Sequence, residues 1–189
     1  MTTLESPMPE SQAMLRSPAR STLREAAAAL DLAERCGHPL EISLALAQMG
    51  RCYRALQALG AAESCLERAL AWARTLGAMD QAVEILCLLA ETSCAMAELP
   101  RRGDARHGHA ALERTRDRAF EAAALAARVS DPQWEIKVLL RISDVLDRCG
   151  DHDDAVALQA RAMRMMYGAH VAPAGPDHDW PGLPPPAEG

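Results

Sequence analysis

A pattern of paired helices recurs along this chain at a spacing of 40 residues, and that recurrence restricts the fold more than any single motif does. Ala29-Leu30, Ala33 and Gly37 return as Ala69-Leu70, Ala73 and Gly77. Leu46, Met49-Gly50 and Tyr53 return as Leu86, Leu89-Ala90 and Ser93. A further shift of 53 gives Leu139, Ile142-Ser143 and Leu146, and carries Ala69, Ala73 and Gly77 onto Ala122, Ala126 and Ser130. The longer second shift coincides with an insertion around LPRRGDARHGH. Gly50, Ala90 and Ser143 thus share one repeat position, with large apolar residues four places and one place before it. That is the face on which the second helix of the pair approaches the backbone. The second helices keep Ala on their packing side, at Ala69 and Ala73, Ala122 and Ala126, Ala155 and Ala162. A pair of this kind cannot bury its apolar stripe alone; stacked neighbours bury it jointly.

The apolar mass is mainly Ala and Leu, with three Trp, two Tyr and one Phe in 189 residues, which favours helix over strand. Ser21 is expected to cap a first helix that runs to Cys36 and ends at Gly37 and Pro39. Further helices are expected from Glu41 to about Leu59 before Gly60, from Ala61 to Leu76 before Gly77, and from Met79 to Glu98. The last three run from about Ala110 to Val129, from Gln133 to Cys149 behind Ser130-Asp131-Pro132, and from Asp151 to Met166 after Gly150. The expected fold is all-α, an antiparallel helix-pair solenoid of about seven helices. Residues 1–20 are expected to form a disordered leader and 21–167 the repeat domain, with the insertion near 99–109. The Pro- and Gly-rich stretch 168–189 is expected to be a disordered tail.

CGDHDDAV, Cys149 to Val156, gathers a cysteine, a histidine and three aspartates. Gly150 ends one helix, and the aspartates fall in or before the first turn of the next, where carboxylates meet free N–H groups and the positive end of the helix dipole. Residues of one turn fan around the axis and do not converge on an ion. A calcium loop needs alternating oxygen ligands and a closing Glu, and zinc needs about four converging N or S ligands. His107 and His109 in the insertion lack a third ligand. No GxSxG, HExxH, Walker loop or GxGxxG is present, so neither a catalytic constellation, a metal site nor a cofactor is expected.

LLRISDVLDRCGDHDDAVALQARAM, Leu139 to Met163, resembles a tetratricopeptide repeat (TPR), with Leu, Ile-Ser and Leu, Gly-Asp opening the second helix, then Ala155-Val156 and Ala162. The earlier units resemble the roughly 40-residue form found in bacterial regulators. The resemblance covers about Ser21 to Tyr167 and implies a concave surface lined by the first helix of each pair, holding another protein or a peptide segment. In that register the inward polar positions are Arg51 and Arg54, then Glu84 and Glu91, then Lys137, Arg141, Asp144 and Arg148. Leu140 and Asp144 stand where a carboxylate clamp of the chaperone-tail type needs Lys and Asn.

A formal charge of −6 opposes general affinity for nucleic acid. Arg101 to Arg118 holds six Arg and is the one stretch that suggests a regulatory module touching nucleic acid. A secretion or assembly chaperone for one client is another alternative, and self-association through Ala157, Met163 and Met166 a third. No membrane partner is expected, because no apolar run reaches the ~18 residues of a span. Without a visible secretory signal, the six Cys read as reduced and mostly buried, in a cytoplasmic protein.

Overall fold

The computed structural model describes residues 10–99 and 105–168, with side chains from Pro18 to Leu99 and from Gly108 onward. The described residues form seven α-helices and no strand: α1 (Glu10–Cys36), α2 (Pro39–Ala55), α3 (Leu59–Thr75), α4 (Met79–Glu98), α5 (Ala105–Ala126), α6 (Pro132–Arg148) and α7 (His152–Gly168). Each helix packs on the next, and the even helices also touch one another, α2 with α4 and α4 with α6. The result is a solenoid-like stack with an even layer (α2, α4, α6) and an odd layer (α1, α3, α5, α7).

α4 is central, and Val83, Ile85, Leu86 and Leu89 are completely enclosed by its neighbours. Leu46 on α2 and Leu139, Ile142 and Leu146 on α6 extend the same core in both directions. The six small Ala of the second helices are all buried. At the shared small position Ala90 and Ser143 are buried, and Gly50 lies under Leu66 of α3. A β-carbon on Gly50 would stand 2.6 Å from Leu66 Cγ. The repeat position inferred from spacing is thus the place where the helices of a pair come closest.

The starts of two helices and the place of one turn differ from the sequence expectation. α1 begins at Glu10, so residues 10–20 are helical rather than a leader. Glu10, Gln12, Ala13, Met14, Leu15 and Arg16 are good helix formers, and they outweigh the hydrogen bond lost at Pro18. Ser21 is therefore not a cap; its hydroxyl donates to Glu25 one turn on, as Thr22 donates to the Pro18 carbonyl at 3.0 Å. α5 likewise starts at Ala105, five residues inside the expected insertion. Residues 1–9, 100–104 and the tail from 169 lie outside the described residues.

The second difference concerns the α2–α3 turn, which sits at Gln57 rather than at Gly60. Gly37, Gly77 and Gly150 have φ of +67°, +66° and +86°, and Gln57 takes the equivalent place with φ +62°. Each donates its N–H to the carbonyl three residues back, and the following N–H reaches five back: His38 to Ala33, Ala58 to Tyr53, Ala78 to Ala73 and Asp151 to Leu146. This six-residue closure satisfies the last carbonyls of a helix and favours Gly at the left-handed residue. A side chain there costs about 1–2 kcal/mol, of which the greater freedom of unfolded Gly returns part. Gln57→Gly is therefore expected to stabilise the chain by about 0.5 kcal/mol, read as a raised urea midpoint with unchanged slope. α6 starts as expected: the Asp131 carboxylate accepts from Gln133 N at 3.0 Å and Trp134 N at 3.1 Å, with Pro132 in the first turn.

Candidate functional site

The eight polar positions expected on the even layer divide into two groups. Five are joined to each other or to a neighbour. Arg54 of α2 meets Glu91 of α4 at 2.5 Å, and Arg141 of α6 donates to Glu84 at 3.0 Å and also to Glu91. About two turns further along, Arg148 grips Glu98 through Nη2 at 2.8 and 2.9 Å and Nε at 3.1 Å. Glu91 lies between two guanidinium groups with only 16% of its side chain exposed. Arg51, Lys137 and Asp144 are exposed and stand outside this ladder.

Burial alone would push the Glu91 carboxyl up, but the hydrogen bond and charge of Arg141, joined by Arg54, hold it below its ordinary 4.5. Arg141 responds in kind: burial opposes its charge, and Glu91 more than restores it. Because the folded value lies below the unfolded one, Glu91 contributes stability above about pH 4.5 and loses it as pH falls through the depressed value. Glu91→Gln is expected to flatten this part of the acid limb of the stability curve. The wild type and variant should converge as the carboxylate protonates, measured by urea unfolding from pH 7 to pH 2.

Glu98 was missed among the expected positions, although Glu84, Glu91 and Glu98 repeat every seven residues, nearly two helical turns. Arg141 and Arg148 share that spacing. The odd layer carries a second set of links that the 40-residue register did not reveal. Arg68 reaches Glu34 of α1 at 3.4 Å, and Arg74 pairs with Glu121 of α5. Arg118 of α5 meets Glu63 at 2.8 Å and Glu67 at 2.7 Å on α3, and donates to Ser93 Oγ of α4. Arg116 spans from α5 to Asp151 at 3.1 Å and Asp154 at 3.0 Å.

These contacts change the meaning of two sequence features. Within the basic stretch, Arg116 and Arg118 are committed to carboxylates, and Arg114 lies 3.5 Å from Glu63 with its Nε buried beside it. Three of the six arginines of that stretch therefore face carboxylates of the fold. In CGDHDDAV, Gly150 makes the turn, Asp151 and Asp154 hold Arg116, and His152 Nδ1 lies 2.6 Å from Asp147. Among the described residues no three His, Cys, Asp or Glu are placed to hold a metal, and no helix is long and apolar enough to cross a membrane. His109 faces Glu113 at 3.3 Å; the His107 side chain lies outside the described residues.

The cysteines follow burial with one exception. Burial raises the Cys52 and Cys65 thiols and pushes Cys87 up to about 12. Cys94 of α4 is raised first by its hydrogen bond to Cys149 and then by burial. Cys149, at the C-terminal cap of α6, is lowered by that same bond against the effect of burial, with help from Thr115. Cys149 is thus shifted in the opposite direction to the thiols of α2, α3 and α4. Cys36 is exposed.

No protein-family model matches the chain, and no curated protein matches it. Among solved structures it is similar to the crystal structure of BtubC (BKLC) from P. vanneervenii, with a TM-score of 0.65 and 14% identity, covering 98% of this chain and 75% of that one. It also aligns with a DHF58 filament at a TM-score of 0.48 and 21% identity, over 86% of this chain and 97% of that one. At such identities the first likeness is one of fold.

Proposed function

We propose that this chain is a non-catalytic, cytoplasmic scaffold of the TPR type that holds a segment of another protein against the face of α2, α4 and α6. The observation that carries the reading is the ladder Arg54–Glu91–Arg141–Glu84, with Arg148–Glu98 beside it. It fixes three helices side by side, so that the exposed Arg51, Lys137 and Asp144 are presented on a preformed surface. A surface ordered before binding loses less entropy when a partner docks. The polar groups best suited to a partner are then the ones the ladder leaves out, not the ladder itself.

The combined variant Arg51→Glu, Lys137→Glu and Asp144→Arg is expected to weaken a partner isolated from the native host by about tenfold or more, with little change in unfolding midpoint. Undiminished affinity, measured by calorimetry with the purified partner, contradicts the assignment of the face.

A further inference from the structure

The repeat register exposes a vacant helix seat at the α1–α2 end of the stack. On α2, Glu41, Ala45 and Gln48 line an open groove of about 410 Å³. Their counterparts in the next units are Gln81, Ile85 and Leu88 on α4, then Trp134, Val138 and Arg141 on α6. In those units the stripe meets the preceding even helix. Gln81 donates to Ser43 of α2 at 2.9 Å, Arg141 pairs with Glu84 and Glu91 of α4, and Ile85, Leu88 and Val138 are buried. Among the described residues no even helix precedes α2, so the same stripe floors and rims an open groove, with Ala45 buried at its base and Glu41 exposed at its edge.

The opposite wall leads to the same seat. Ala26 and Ala29 of α1 line the groove and correspond to Leu66 and Ala69 of α3. In α3 that face meets the even helix of its own pair: Leu66 covers Gly50, and the Ala69 carbonyl accepts from Ser43 at 2.9 Å. Among the described residues α1 meets no such partner on this face, where Ala26 lies buried at the groove floor and Ala29 is exposed. Leu32 and Leu44, on the two walls, remain 55% and 52% exposed. Both walls are therefore faces that meet an even helix elsewhere in the chain, where such helices run 17 or 20 residues.

We infer that this seat docks an amphipathic helix of another protein, carrying an apolar stripe flanked by Lys or Arg. The charge follows from the lining, which supplies the carboxylates of Glu25 and Glu41 and no cation. The shape is set by Ala26. Where Leu66 demands Gly50 opposite, Ala26 leaves room for a large side chain such as Leu on the incoming helix. Lys137 and Asp144 lie on α6, away from the α1–α2 lining, so that face and this seat can fail independently.

The test uses the full chain and two synthetic amphipathic helical peptides, with a Leu stripe flanked by Lys in one and by Glu in the other, read by fluorescence anisotropy. The Lys peptide is expected to saturate the wild type and to bind about tenfold more weakly to Ala29→Arg, which obstructs the groove from an exposed position. Ala26→Leu is expected to reject the Lys peptide yet accept a version with Gly at the central stripe position. The Lys137→Glu, Asp144→Arg variant should bind it as the wild type does. The inference is overturned by no saturation up to about 1 mM, by equal binding of the Glu peptide, or by full binding to Ala29→Arg. A wild-type dimer that Ala29→Arg dissociates, or peptide binding that needs removal of residues 1–9, overturns it too, in favour of a second copy or the chain's own segment.

Discussion

Gly50→Ala is expected to lower the unfolding free energy by about 1–2 kcal/mol, although alanine is the better helix former by about 1 kcal/mol. The reason is steric and local. The added β-carbon would lie 2.6 Å from Leu66 Cγ and 2.7 Å from Cδ2, inside any normal contact, and Leu66 is fully buried with nowhere to move. Leu66→Ala alone removes a large core side chain and should cost about 2–5 kcal/mol. In that background the clash is gone, so Gly50→Ala should become stabilising by up to about 1 kcal/mol. The change of sign between backgrounds, measured by urea unfolding, separates close approach from any general intolerance of side chains at position 50. An equal loss in both backgrounds would mean that the two helices do not meet there.

The second large effect belongs to the even-layer ladder. Glu91→Ala leaves Arg54 without its carboxylate and Arg141 with Glu84 alone, both arginines partly buried and facing each other. Breaking a buried pair by removing one member costs about 3–5 kcal/mol, and the partial exposure of both arginines reduces the expected loss to about 2–3 kcal/mol. The cost comes from stranded cations rather than from the worth of the bonds. Replacing the three central members by apolar residues of similar size, as Arg54→Met, Glu91→Leu and Arg141→Met, leaves only Glu84, 40% exposed, to solvent, and is therefore expected to recover most of the loss. Should the triple variant be weaker than Glu91→Ala, the ladder would be a net source of stability and this account of it would be wrong.

The sequence made the interior of the stack legible because its signal is steric. Gly50, Ala90 and Ser143 fall in register, and the small Ala of the second helices are all buried, since a solenoid imposes the same close contact on every unit. Turn positions were less legible. Gly60 looks like a breaker, yet a β-carbon there would touch nothing, and the strained residue is Gln57, a type with no turn signature. The start of α1 was hidden by Pro18, whose local cost says nothing about the good helix formers before it.

The polar face was half legible. The TPR resemblance implied that Arg54, Glu84, Glu91, Arg141 and Arg148 share one layer, but a single helix pattern does not say which side chains reach across to the next unit. The odd-layer links of Arg118 and Arg116 were invisible for the same reason: their carboxylate partners lie 35 to 55 residues away. Those distant carboxylates turn a basic run into part of the fold.

The central claim is that a partner lies against the even layer. Site-specific photo-crosslinking tests it most directly, with a benzophenone amino acid placed singly at positions 51, 137 and 144, or at the exposed odd-layer positions Arg68, Ala124 and Gln159. Adducts to one host protein from 51, 137 and 144, and none from the odd layer, are the predicted result. Adducts confined to 68, 124 and 159 would contradict it.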